Sequence, residues 1–165
     1  MNSAEPFAPA ALAIHVVQWE DVFVIVDDGT GRESDYALAQ RMIAEHGSRY
    51  ATGIGCLVII PVDAKPPSEP VRKAMKAALE VVRLRCLCWL VEGAGFQAAM
   101  ARGVLTGLRL VANRSYETHV SASLEEAFAW MLPHLEGRTN RIEAVSRATA
   151  AIRVSRLAIQ SRRRA

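Results

Sequence analysis

Aromatic residues are scarce in this 165-residue chain, at 6%, and residues 138–165 contain none. Stacking of bases on rings, a usual grip on single-stranded nucleic acid, is therefore not on offer in the C-terminal segment. Cysteines number three, Cys56, Cys86 and Cys88. An odd count with no export signal argues against a disulfide framework. Cys86 and Cys88 lie two apart in an apolar run, so a strand would turn both to one face. A metal site would need two further ligands at sensible spacing, and His15, His46, His119 and His134 are scattered. The thiols read as buried and structural. Apolar runs are strand length or are broken by Arg and Gly, and none approaches the roughly 20 residues of a membrane span. Met1 to Pro9 lack the basic region of a secretory leader. A cytoplasmic protein is expected.

Lysine is confined to Lys65, Lys73 and Lys76, so positive charge is mostly arginine. The net charge of +3 is a near-cancellation. Residues 138–165 hold eight Arg and the single acid Glu143, for +7, while residues 1–137 carry −4. The body has no charge excess with which to coat nucleic acid, and the tail poses a separate question. The expected organisation is a flexible N-terminus over 1–9, one domain over 10–137 and an Arg-rich helical tail over 138–165.

Within the body, Val, Ile and Phe enrichment predicts strands at Ala11–Val17 and Val22–Val26, joined as a hairpin across Gln18–Asp21. A helix fits 33–46, with Leu38, Ala39, Met42 and Ile43 apolar and Gly47 at its end. Residues 56–60 read as a strand buried on both faces. Ser68 is the N-cap candidate of the next helix, with Val71, Met75, Leu79 and Val82 as its stripe. A strand at Cys86–Val91 follows, then a helix over 96–112 marked by Phe96, Met100, Val104, Leu108 and Val111. Gly103 and Gly107 leave a smooth patch on it. Tyr116–Val120 alternates into a strand. Ser123 and Glu126 form a capping box ahead of a helix burying Leu124, Ala127, Phe128, Met131 and Leu135, which Pro133 should limit. The predicted order is β-β-α-β-α-β-α-β-α: an α/β domain with a mostly parallel sheet, an N-terminal antiparallel hairpin and a basic helical extension.

That order, together with Trp89-Leu90-Val91-Glu92-Gly93, Val104-Leu105-Thr106-Gly107 and above all Ser123-Leu124-Glu125-Glu126-Ala127-Phe128-Ala129-Trp130, resembles the STAS domains. Within them it is similar to the SpoIIAA-like group of bacterial proteins, related in shape to the CRAL-TRIO lipid-transfer domains. The resemblance covers roughly residues 10–136. Anti-anti-sigma members of that family carry a phosphorylatable serine, in a pattern near Asp-Ser-x-Gly, at the start of the helix after the central strand. The matching stretch, Asp63 to Pro70, holds Ser68 but has Lys65-Pro66-Pro67 before it and no Gly after it. A phosphate on Ser68 would still meet a helix N-terminus; the alternative role is an ordinary N-cap.

No catalytic constellation is recognised. Gly29-Thr30-Gly31 and Gly93-Ala94-Gly95 lack dinucleotide or Walker spacing and read as turns, although such loops can hold anions. Asp27 and Asp28 could bind a cation or act as a base, but no partner is fixed near them by the sequence. The helix 96–112 is read as core, as a groove for an acyl chain, or as a dimer face. The tail places Ile142, Val145, Ile152 and Ile159 on one side and Val154 and Leu157 on the other, so it is expected to be mobile or to pack only in part.

The expected function is a non-catalytic regulatory or scaffolding module that binds a protein partner and needs no cofactor or metal. Its surface would be Ser68, Asp63, Lys65, Gly93, Gly95 and Phe96. Arg141, Arg147, Arg153, Arg156, Arg162, Arg163 and Arg164 would meet an acidic partner, or nucleic acid or an anionic membrane. One alternative is a small apolar-ligand (lipid) carrier of CRAL-TRIO type, lined by Phe96, Met100 and Val104; another is an enzyme of unrecognised class. A homodimer is also compatible.

Overall fold

A computed structural model describes residues 13–61, 64, 67–93, 95, 99, 102–103 and 116–164; at 159, 160 and 162–164 it describes the backbone only. The expectations for 1–9 therefore fall outside the described residues. So do those for Asp63, Lys65, Phe96, Met100, Val104 and Gly107.

The chain opens with β1 (Ile14–Trp19) and β2 (Val22–Asp27), antiparallel from Ile14 opposite Asp27 to Trp19 opposite Val22. The hairpin is tighter than the sequence suggested. Gln18 and Trp19 stay in the strand, and only Glu20 and Asp21 turn. Glu20 takes a φ of 44°, the positive value that two-residue hairpin loops call for. Trp19 holds the strand end down by packing on Phe128, with ring centroids 6.2 Å apart.

Next come α1 (Glu33–Gly47), β3 (Ile54–Ile60), α2 (Glu69–Glu80) and β4 (Leu84–Val91). Then β5 (Glu117–Ser121), α3 (Leu124–Met131), a single 3-10 turn at Leu132–His134 and α4 (Arg141–Arg164) complete the chain. Between β4 and β5, Ala99, Arg102 and Gly103 are helical. The five strands lie in the order β1-β2-β3-β4-β5, and all pairings after the hairpin are parallel. Such connections must cross over the sheet, which puts helices on its faces.

Alternation along the strands divides the core into two layers. Phe23, Ile25, Cys56, Val58 and Leu87 face α1 and α2, where they meet Tyr36, Ala39, Ile43 and Leu79. Val22, Val24, Val26, Leu57, Ile59, Cys86, Cys88 and Leu90 face the other way, towards Ala127, Phe128 and Met131 of α3. Cys86 and Cys88 share a face, as their spacing predicts. Leu84 breaks parity because β4 is bulged. Ile54 pairs with Leu84 but Gly55 pairs with Cys86, leaving Arg85 as the extra residue.

One expectation needs correction and another is narrowed. The Ser123–Glu126 cap is not reciprocal. Ser123 Oγ accepts from the Glu126 amide at 3.1 Å, but Glu126 reaches past Ser123 to the Ala122 amide at 2.9 Å and the Ser121 hydroxyl at 3.0 Å. Of the two expectations for the basic tail, mobile or packed in part, the structure shows the second. Ala144, Ala148, Ala151 and Ile152 join the same buried cluster as Trp19 and Phe128, and Ser155 is buried beside them. The buried seam is drawn mainly by alanines, whose small side chains let the helix axis settle close to rings that already fill the space. Ile142, expected beside Ile152, is 82% exposed, and Val145 is only partly buried. The boundary at 137 thus separates two charge regimes, while the core runs across it.

The joint itself is clamped. Asp21 Oδ2 accepts from the amides of Glu136 (2.8 Å) and Gly137 (3.0 Å), and Glu20 accepts from the Thr139 amide (2.6 Å) and hydroxyl.

Candidate functional site

In an open parallel sheet, loops that bind things gather beyond the C-terminal ends of the strands. Here that edge carries the turns after β2, β3 and β4. The Glu92 amide donates to Ile60 O at 2.9 Å, so the loops leaving β3 and β4 start side by side. Gly29, at φ 82°, lies against Ala64 so closely that a Cβ there would come within 3.2 Å of the Ala64 Cα. The loops after β2 and β3 are thereby in contact as well.

The acids at this edge are largely engaged. Asp27 accepts from the Gly29 amide at 2.8 Å and from the Tyr36 hydroxyl. Burial raises Asp27 above the ordinary carboxylate value, against the opposing effect of those two donors. The Tyr36 phenol is pushed up by burial and then by the adjacent Asp27 charge. Asp28 accepts from the Thr30 amide at 2.8 Å and from its hydroxyl. These contacts stabilise the turn and engage both Asp27 oxygens and one oxygen of Asp28.

Ser68 occupies the N-cap position of α2, yet its hydroxyl makes no cap bond and the residue is exposed. The first turn is held by the backbone instead, through Arg72 N to Ser68 O at 2.9 Å, and by Arg72 Nη1 to Pro67 O at 2.7 Å. Gly93 (φ 94°) and Gly95 (φ 91°) give the left-handed backbone of a tight turn. Arg102 closes it by donating to the carbonyls of Val91 and Gly93 at 3.3 and 3.4 Å. Of the predicted surface, Ser68, Gly93 and Gly95 therefore stand at one edge of the sheet.

The tail reaches this edge too. Arg156 Nη2 lies 2.6 Å from Glu92 Oε1, at the end of β4. Since α4 starts beside Glu20, at the opposite edge, it crosses the whole sheet. At 1.5 Å per residue, the eight residues after Arg156 carry the helix about 12 Å farther. Arg147 pairs with Glu143 at 2.7 Å and lies over the Trp19 ring, 5.7 Å from its centroid. Arg141 and Arg153 are exposed, and no acid partner is found for them among the described residues. Arg162, Arg163 and Arg164 continue the helical backbone.

One grouping was missed by sequence reading. His119 and His134, which look scattered, lie on the Trp130 ring at 5.0 and 4.8 Å. The i, i+4 spacing of Trp130 and His134 was the available signal. Glu126 sits between Ser121 Oγ at 3.0 Å and His119 Nε2 at 3.4 Å. The Ala122 amide, with Ser121 and His119, holds its carboxyl below the ordinary value. A carboxylate interposed between hydroxyl and imidazole leaves the hydroxyl without the adjacent imidazole base of a nucleophilic set.

Among the described residues no three His, Cys, Asp or Glu side chains come together in a way that could hold a metal ion. None of the described helices is long and apolar enough to cross a membrane. Comparisons with family models, with curated proteins and with solved structures find no match to this chain.

Proposed function

We propose that the chain is a STAS-like regulatory or scaffolding module that binds a protein partner at the C-terminal edge of its sheet. The observation that carries this reading is the Arg156–Glu92 pair, which brings the end of a basic helix to the loops that present Ser68, Gly93 and Gly95. An acidic partner seated on the loops would meet the arginines of the helix end as well. A mostly parallel sheet after an antiparallel hairpin supports the STAS-like reading. The exposed Ser68 hydroxyl, free of a cap bond, is the position at which a phosphate would find a helix N-terminus.

The test is affinity capture from the native host with the full-length chain and two variants, Ser68→Arg and Arg153→Glu. Both positions are exposed, so the fold should be unaffected. A partner retained by the wild type, weakened by rising salt and by Arg153→Glu, and captured to a different extent by Ser68→Arg supports the proposal. Equal capture by all three proteins refutes it.

A further inference from the structure

At the opposite edge of the sheet, an open cleft of about 580 Å³ is lined by Ala51, Thr52, Arg83, Arg85, His134 and Glu136, among others. We propose that it is a binding site for a small oxyanion, meaning a molecule presenting a phosphate or carboxylate group, and that the Glu136 carboxylate occupies the site when no ligand is present.

Three features build the cleft. Gly53, at φ 101°, passes so close to β4 that a Cβ would lie 3.2 Å from the Cγ atoms of both Arg83 and Arg85, and 2.6 Å from Arg83 O. The two arginine stems therefore flank one glycine. The β4 bulge makes Arg85 the unpaired residue of its strand, and bulges of this kind re-aim a side chain. On the far wall, His134 is held by its ring contact with Trp130.

The site has an excess of donors. Arg85 spends one bond on Glu136, Nη1 to Oε1 at 2.6 Å, out of the five N–H groups of a guanidinium. Arg83 is exposed and has no acid partner among the described residues. The Glu136 carboxyl is held below its ordinary value by Arg85 first and the Thr52 hydroxyl second. It thus already receives what an oxyanion would receive: a guanidinium and a hydroxyl donor. Glu136 can give way without disturbing the chain path, because its own amide stays bonded to Asp21. The cleft is polar and open, which suits a small charged group better than an apolar ligand.

The experiment is a titration of the full-length protein, followed by amide NMR, with inorganic phosphate and separately with citrate, at constant ionic strength. Saturable shifts at Thr52, Gly53 and Arg83 are expected with at least one probe, and the preferred probe tells phosphate from carboxylate recognition. Arg83→Gln should abolish them. Glu136→Gln removes the internal competitor and should tighten binding about threefold, the scale of an exposed ion pair. Shifts that are linear, that centre on α4, or that are indifferent to both substitutions overturn the proposal. Arg83 and Glu136 are both exposed, and an unchanged thermal transition in each variant excludes unfolding as the cause.

Discussion

Two isoleucines of α4 test the docking of the C-terminal helix directly. Ile142 and Ile152 share a residue type and a helix, and their spacing suggested a shared face, yet Ile142 is 82% exposed and Ile152 is 9% exposed. Ile152 packs in the cluster that includes Trp19, Val24 and Phe128. Truncating it to Ala removes three carbons from that cluster and leaves a gap. Buried Ile→Ala changes cost about 2–5 kcal/mol. Ile152 lies near the end of the cluster, where collapse is easier, so about 2–3 kcal/mol is expected. Ile142→Ala should fall within about 0.5 kcal/mol of the wild type. Urea unfolding followed by tryptophan fluorescence reads the difference. With a slope of about 2 kcal/mol/M, Ile152→Ala should lower the midpoint by about 1 M and Ile142→Ala should hardly move it. Equal effects at the two positions would refute the packing described, and an arm that detaches in solution would leave both unchanged.

Gly137→Ala should cost about 1–3 kcal/mol in the same assay, because the new Cβ would come within 2.2 Å of Asp21 Oδ1 and crowd the clamp that joins body to tail. The thiols should be inert to a thiol reagent at pH 8 until the protein unfolds, since burial pushes Cys86 and Cys88 up to about 12 and raises Cys56 as well; one equivalent reacting in the native state would contradict this. Burial, with Arg49 adding to it, holds His46 below its ordinary value of 6.5, while Asp21 and the backbone near Glu20 and Val22 act in the other direction. The unfolded chain then takes up the proton first, so stability should fall as pH drops through 6.5, and His46→Leu should flatten that part of the stability profile.

The elements of the body were legible because apolar strands and capped helices announce themselves locally. Ile54–Ile60 and Leu124–Met131 needed no tertiary information beyond their own composition and punctuation. The tail was not legible for a physical reason. A helix that packs through Ala144, Ala148 and Ala151 leaves a weak amphipathic signature, since alanine is neither strongly apolar nor polar. The exposed Ile142 then pointed the wrong way. The edge holding Ser68 and Gly93 followed from strand order, whereas the Arg156–Glu92 pair spans 64 positions and could not be read from spacing. The same holds for His119 and Trp130, which only the pairing of β5 and the packing of α3 bring together.

Strand order in the sheet is strand order in the chain. Each strand can therefore be added beside the one already made, in the sequence in which a ribosome delivers them. The two core layers do not mature together. The layer under α1 and α2 has both of those helices by residue 80, while the opposite layer waits for Ala144 to Ile152. A chain without α4 would keep α1 and α2 on one layer and have α3 alone on the other, which leaves apolar surface near Trp19 and Phe128 less covered. The last helix therefore seals the second layer of a sheet whose first layer is already covered, and losing it would trade buried surface for apolar exposure on that one side.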